Sequence, residues 1–202
     1  MELIVVTPPA YFEGEGDLIN QFFAEGLNLL HIRKPGNDSA QFVELMEEID
    51  AAFYPQLVIH QHHELAAEFS LERLHYPEHF RKLLSSDEIK ALLDDGYKLS
   101  SSIHELSVLP DVDFLEYVFF GPVFNSISKT GYQTVLAADF VLPAHKLKVF
   151  AIGGVKESRL EELKRMNFDG AAVLGTLWHQ QESPLRELKK LIKSIKELSN
   201  GY

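Results

Sequence analysis

The residues able to do chemistry sit in short polar steps that follow apolar runs. One segment, Gly121-Pro122-Val123-Phe124-Asn125-Ser126-Ile127-Ser128-Lys129-Thr130-Gly131, sets hydroxyls at alternate positions ahead of a lysine. Ser126 and Ser128 offer hydrogen-bond donors and Lys129 a charge, which suits a phosphate or diphosphate. Gly121 lets the backbone turn where the apolar run ends. In Ala151-Ile152-Gly153-Gly154-Val155, two glycines precede a helical segment, where open backbone N–H groups attract an anion. Gly175 follows the last apolar run in a similar way. Arg33, in His31-Ile32-Arg33-Lys34, brings a fixed charge and a planar fork suited to phosphate or carboxylate. A surface salt bridge accounts for that arginine equally well.

Nine histidines supply acid–base or metal chemistry. His104, in Ser101-Ser102-Ile103-His104, has a reference pKa near 6.5 and can act as general acid or base. Strand alternation places Ser102 on the same face as His104. His60-Gln61-His62-His63-Glu64 is rich in imidazole, with His62 and His63 read as a solvated helix start. His31, His60, His75 and His104 fall near the ends of successive runs, and one reading makes them a metal ring. No HExxH spacing supports a metal, and a strand-end histidine also serves as a plain cap. With no cysteine in the chain, thiol nucleophiles, thiolate metal sites and disulfides drop out.

The elements that must position these groups show in the apolar pattern. Eight runs read as strands: Leu3–Thr7, Leu27–Arg33, Leu57–His60, Arg73–His75, Tyr97–Ser102, Tyr117–Phe120, Val149–Ile152 and Ala171–Leu174. Short, continuously apolar runs bounded by Gly or Pro suit parallel strands buried on both faces. Helices are predicted from Ser39 as cap to about Phe53, from Asp87, after Ser158, and from about Ser183 to the end. The last carries Leu185, Leu188, Leu191, Ile192, Ile195 and Leu198 on one stripe, with lysines mostly opposite. Eight strand–helix units fit 202 residues at about 25 residues each, as in a small (β/α)8 barrel. A doubly wound open sheet has the same local signature.

Composition narrows the partners. The 19 basic and 30 acidic residues give a formal net charge of −11, which argues against duplex nucleic acid and anionic membrane surfaces. No apolar stretch approaches a membrane span, and the N-terminus lacks the features of a signal peptide. The expectation is one cytoplasmic domain over residues 1–202, with small-molecule substrates.

Taken in order, these motifs resemble the thiamine phosphate synthase family and its relative TenI, the thiazole tautomerase, from about Leu3 to Ala172. The resemblance rests on His31-Ile32-Arg33, Ser102-Ile103-His104, Gly121–Lys129 and Ala151-Ile152-Gly153-Gly154. It implies a single-domain α/β fold, the (β/α)8 TIM barrel. In the synthase, Arg33, Ser126, Ser128 and Lys129 would hold the diphosphate of an aminopyrimidine substrate, with Ser102 nearby. Gly153, Gly154 and Gly175 would hold a thiazole phosphate. Mg2+ would help the diphosphate leave.

At the metal the chain departs from the synthase pattern. The strand-3 Asn-Asp reads His60-Gln61, and the strand-4 segment reads His75-Tyr76-Pro77-Glu78, leaving Gln61 and Glu78 as weak possible ligands. The strand-2 lysine, Lys34, has moved by one position. TenI matches His31-Ile32-Arg33 and lacks the acidic strand-3 ligand. The resemblance to TenI implies His104 as the catalytic acid–base group beside Ser102, His31 and Arg33 in substrate binding, and no metal cofactor. The leading expectation is therefore a thiazole tautomerase, with thiamine phosphate synthase as the alternative. A non-catalytic thiazole or thiamine phosphate binder is a further one. The resemblance makes a homodimer the oligomer to test, and the polar Asn125–Leu136 segment is expected to be a mobile loop over the mouth.

Overall fold

A computed structural model describes residues 1–36, 38–124, 136, 139–178 and 183–200. Ser126, Ser128, Lys129 and nearly all of the expected mouth loop lie outside the described residues.

Eight parallel strands close into a barrel in sequence order, β8 pairing with β1. They are β1 (Glu2–Val6), β2 (Leu29–Ile32), β3 (Leu57–Ile59), β4 (Arg73–Tyr76), β5 (Lys98–Ile103), β6 (Tyr117–Phe120), β7 (Lys148–Ile152) and β8 (Gly170–Val173). The expected single (β/α)8 barrel is what forms, and closure rules out the open sheet. Around it lie α1 (Glu15–Ala24), α2 (Ser39–Glu48), α3 (Glu78–Arg81), α4 (Ser86–Asp94), α5 (Leu160–Arg165), α6 (Gly175–Trp178) and α7 (Pro184–Asn200). No helix is long and apolar enough to cross a membrane, among the described residues.

Several helix boundaries differ from the sequence expectation for local reasons. The α2 cap is Asp38, not Ser39: its side chain accepts from Gln41 N. That helix stops at Glu48, and a tight 3-10 turn over Ala51–Gln56, holding Pro55, replaces its expected last turn. Ser85 opens α4 through a reciprocal capping box with Glu88. The α7 stripe packs as expected, with Leu188, Leu191, Ile192 and Ile195 buried.

Period-two alternation divides each strand between two cores. Outward residues such as Leu3, Val5, Leu30, Ile32, Val118 and Val149 pack beneath the helices. Inward residues form a second, smaller cluster of Ile4, Tyr117, Phe119, Phe150 and Ala172. Bulky branched side chains dominate most barrel interiors. Here the β2–β5 sector is polar instead, filled by His31, His75 and Ser100, all buried. Gly170 faces inward, and a Cβ there would stand 2.3 Å from the Phe150 ring. The glycine makes room for that ring at the apolar side of the bore.

Candidate active site

Strand ends β7, β8, β1 and β2 are neighbours in the closed barrel, and their glycines and Arg33 stand along one rim. After β7, Gly153 and Gly154 take positive φ values of 94° and 64°. Such angles are cheap only for glycine. The turn is fixed from both sides. Val123 N donates to Ile152 O at 3.0 Å and Phe124 N to Gly153 O at 3.1 Å. The Thr176 hydroxyl donates to the Val155 carbonyl, bringing Gly175 and α6 against the same turn. Trp178 Nε1 donates to Val6 O at 2.7 Å, carrying the stitching on to β1.

Next along the rim, buried Thr7 closes β1. Its Oγ1 accepts from Arg33 N at 2.9 Å, and its own N–H donates to His31 O at 2.9 Å. The Arg33 backbone is therefore held at the mouth while its guanidinium adds positive potential to His60 and His75. Lys34 does not share this rim. It is 1% exposed, and its Nζ meets both oxygens of Glu15 at 2.7 Å and the carbonyls of Pro8 and Ala10 at 3.0 Å. Burial pushes the Glu15 carboxyl up and the Lys34 ammonium down, each opposed by the attraction of its partner. This lysine anchors the β1–α1 connection.

Inside the mouth a continuous polar chain crosses the bore. His60 Nε2 and His31 Nδ1 are 2.9 Å apart, and His31 Nε2 is 2.6 Å from the Tyr117 hydroxyl. Ser100 hydrogen-bonds to Tyr117 and also lies 2.9 Å from His75 Nδ1. His75 Nε2 reaches the Ser102 hydroxyl at 3.2 Å, and its ring stacks on His60 with centroids 4.1 Å apart. Ser102 is thus tied to His75 rather than to His104. Tyr117 was not anticipated as part of the site. Its one signal is a hydroxyl on the inward phase of the run Tyr117-Val118-Phe119-Phe120.

His104 takes another partner. Its Nδ1 lies 2.5 Å from Glu78 Oε2, its side chain is 59% exposed, and Glu78 also pairs with Lys82 at 2.7 Å. Lys82 and His104 hold the Glu78 carboxyl below its usual range. His62 and His63 do open a short 3-10 turn over His63–Leu65, as expected, but not a solvated one. His62, at φ 57°, is buried with its ring 5.0 Å from Phe42, and His63 bonds to Ile59 O at 3.1 Å.

The Mg2+ implied by the synthase resemblance needs hard oxygen donors. At the ends of β3 and β4 the candidates were Gln61 and Glu78. Gln61 Oε1 instead accepts the Lys34 N–H at 2.8 Å, and both Glu78 oxygens serve Lys82 and His104. Between these two positions stand imidazoles. Among the described residues, this donor set does not fit Mg2+, and neither residue is left free for the weak-ligand role expected of it.

The buried imidazoles make stability depend on pH. Burial holds His75 down to about 3, with His63 and Arg33 adding repulsion. Burial, then repulsion from His75, holds His31 and His60 far below their ordinary value. Unfolded histidines protonate near pH 6.5, whereas these stay neutral in the fold. Unfolding therefore takes up protons, and the stability present above pH 6.5 is lost as pH falls. From about pH 6 to 5 the expected slope approaches about 1.4 kcal/mol per pH unit for each of the three. Urea titrations across that window check this, and His75→Asn should remove about one proton from the slope. A flat profile would show the imidazoles to be charged or exposed.

A family model described as thiamine monophosphate synthase matches residues 3–177. Thiamine-phosphate synthase 1 of Streptococcus pneumoniae is 23% identical over 195 residues, spanning 90% of this chain and 87% of the relative. A crystal structure of thiamine phosphate pyrophosphorylase from Bacteroides thetaiotaomicron superposes with a TM-score of 0.78 at 29% identity, covering 98% of both chains. Thiamine phosphate pyrophosphorylase from Pyrococcus furiosus shares the fold, with a TM-score of 0.73 at 13% identity over 98% of this chain and 96% of that one. With the matched region running from β1 into α6, the chain belongs to the thiamine monophosphate synthase family of enzymes.

Proposed function

We propose that this chain joins an aminopyrimidine diphosphate to a thiazole phosphate. The observation that carries this reading is the 29% identity to a thiamine phosphate pyrophosphorylase over 98% of both chains. The same relatives favour it over the tautomerase expected from the sequence. The bond between the pyrimidine methylene carbon and diphosphate oxygen breaks, and the electron pair leaves with diphosphate. The thiazole nitrogen then bonds to the methylene carbon, so the products are thiamine phosphate and diphosphate.

The chain's own groups divide that work. The Gly153–Gly154 turn, with Gly175 beside it, receives the thiazole phosphate through backbone N–H groups. Arg33 offers a planar fork to the departing diphosphate. The resemblance adds Ser126, Ser128 and Lys129 to the diphosphate's partners. Ser102, held by His75 at 3.2 Å, offers a hydroxyl at the β5 end.

A second reading keeps tautomerisation, and a specific contact favours it. Glu78 orients His104 at 2.5 Å, an arrangement suited to proton transfer. Mixing the protein with both substrates, with and without Mg2+, separates the two. Thiamine phosphate and diphosphate formed in equal amounts are expected. No product under either condition overturns the synthase reading. Tautomer turnover that His104→Ala abolishes would put the second reading in its place.

A further inference from the structure

We propose that His31, His60 and His75 together bind one divalent ion of the zinc, cobalt or nickel class. This site is distinct in chemistry from the Mg2+ site of the synthase resemblance, and it stands whether or not the condensation proposed above occurs. His31 on β2, His60 directly after β3 and His75 on β4 bring three imidazoles together. One ring nitrogen from each lies within 4.8 Å of the others. Ligand nitrogens about 2.1 Å from a tetrahedral ion stand about 3.4 Å apart. The set therefore has to tighten by at most about 1.4 Å.

The donor type selects the metal. Imidazole suits zinc, cobalt, nickel and copper, whereas magnesium asks for oxygen. Outer partners already orient two of the rings. Tyr117 engages His31 Nε2 and Ser100 engages His75 Nδ1, so an ion taken at His31 Nδ1 and His75 Nε2 has to displace the His60 contact of the first and the Ser102 hydroxyl of the second. His60 adds a ring nitrogen from the third side: its Nε2 lies 2.9 Å from His31 Nδ1, and its Nδ1 has no hydrogen-bond partner to give up.

A second observation also points to a missing partner. His60 Nδ1 is buried with no hydrogen-bond partner. A polar atom left that way is destabilising unless something in the folded protein meets it. No arrangement of protons along the His60–His31–Tyr117 chain supplies it with one. An ion among the rings gives the imidazoles a reason to be gathered where barrels usually place branched aliphatics. Three neutral ligands leave the ion its full charge, and Arg33 is close enough to repel it. The fourth ligand is therefore an anion, either hydroxide or a phosphate oxygen.

The test uses the full, untagged chain, stripped with chelator and titrated with Co2+ without substrate. The expected result is one Co2+ per chain with the intense visible band of a four-coordinate ion, displaced by Zn2+ and unaffected by excess Mg2+. His75→Gln should weaken Co2+ binding by more than about 100-fold, since even the outer partners of metal ligands are worth 10–100-fold. His104→Gln should leave it unchanged, because that ring is exposed and paired with Glu78. Should His75→Gln misfold, the wild-type stoichiometry and band still decide. The proposal is overturned by uptake below one ion per chain, by a weak six-coordinate spectrum, or by binding that a folded His75→Gln retains. Thiamine phosphate formation is not part of the readout, so this site and the condensation can fail separately.

Discussion

Lys34→Ala is expected to lower folding stability by about 3–5 kcal/mol. The Lys34–Glu15 pair is 1% exposed on each side, at 2.7 Å. Removing the ammonium leaves a carboxylate in the interior and strips the Pro8 and Ala10 carbonyls of a donor. Burial already pushes the Glu15 carboxyl up against the attraction of Lys34, so losing the ammonium pushes it further the same way. Lys34→Met with Glu15→Leu should recover most of the loss, because paired apolar replacement removes the desolvation cost together with the attraction. Urea unfolding of the three proteins measures this. A loss below about 1 kcal/mol for Lys34→Ala would show the pair to be solvated.

The second large effect is expected from Gly121→Ala. A Cβ at this position would lie 2.2 Å from the Ile152 carbonyl oxygen and 2.8 Å from Ile152 Cγ2. That carbonyl accepts the Val123 N–H and belongs to β7, so it cannot retreat without breaking the turn. Overpacking of this kind costs about 1–3 kcal/mol, and backbone contact puts this case at the upper end. The functional cost should be larger than the stability cost. The displaced segment leads directly to Ser126, Ser128 and Lys129, and a 1 Å misplacement can cost about 100-fold in rate. Synthase assays and thermal melts on the same preparation test both parts. A stable variant with full activity would show that this close approach positions nothing.

Most of the strands could be read from the sequence because parallel strands buried on both faces announce themselves as apolar runs, while β4 and β5, with Arg73, His75 and Ser100–Ser102 in them, gave a weaker signal. Closure could not be read, since it depends on pairing between β1 and β8, which are 168 positions apart at Glu2 and Gly170. The helix α1 was missed because Gly14 and Gly16 flank its start and mask the Ile19, Phe22 and Phe23 face. The rim glycines and Arg33 followed from their place in strand order. The pairings did not. Glu78 with His104, and Glu15 with Lys34, join different loops, and nothing local to either partner names the other. The histidine cluster was half visible: three of the four proposed members converge, while His104 turns away to an acidic partner.

The Trp178 hydrogen bond to the Val6 carbonyl and the β8–β1 ladder have a consequence for biosynthesis. While the nascent chain is still threaded through the ribosome, β1 has no neighbour on one flank and stays an unprotected edge, open to pairing with other chains. Ring closure waits until the region around Trp178 has emerged. This architecture is thus committed to completing its fold late, and its first-made strand is the one exposed longest.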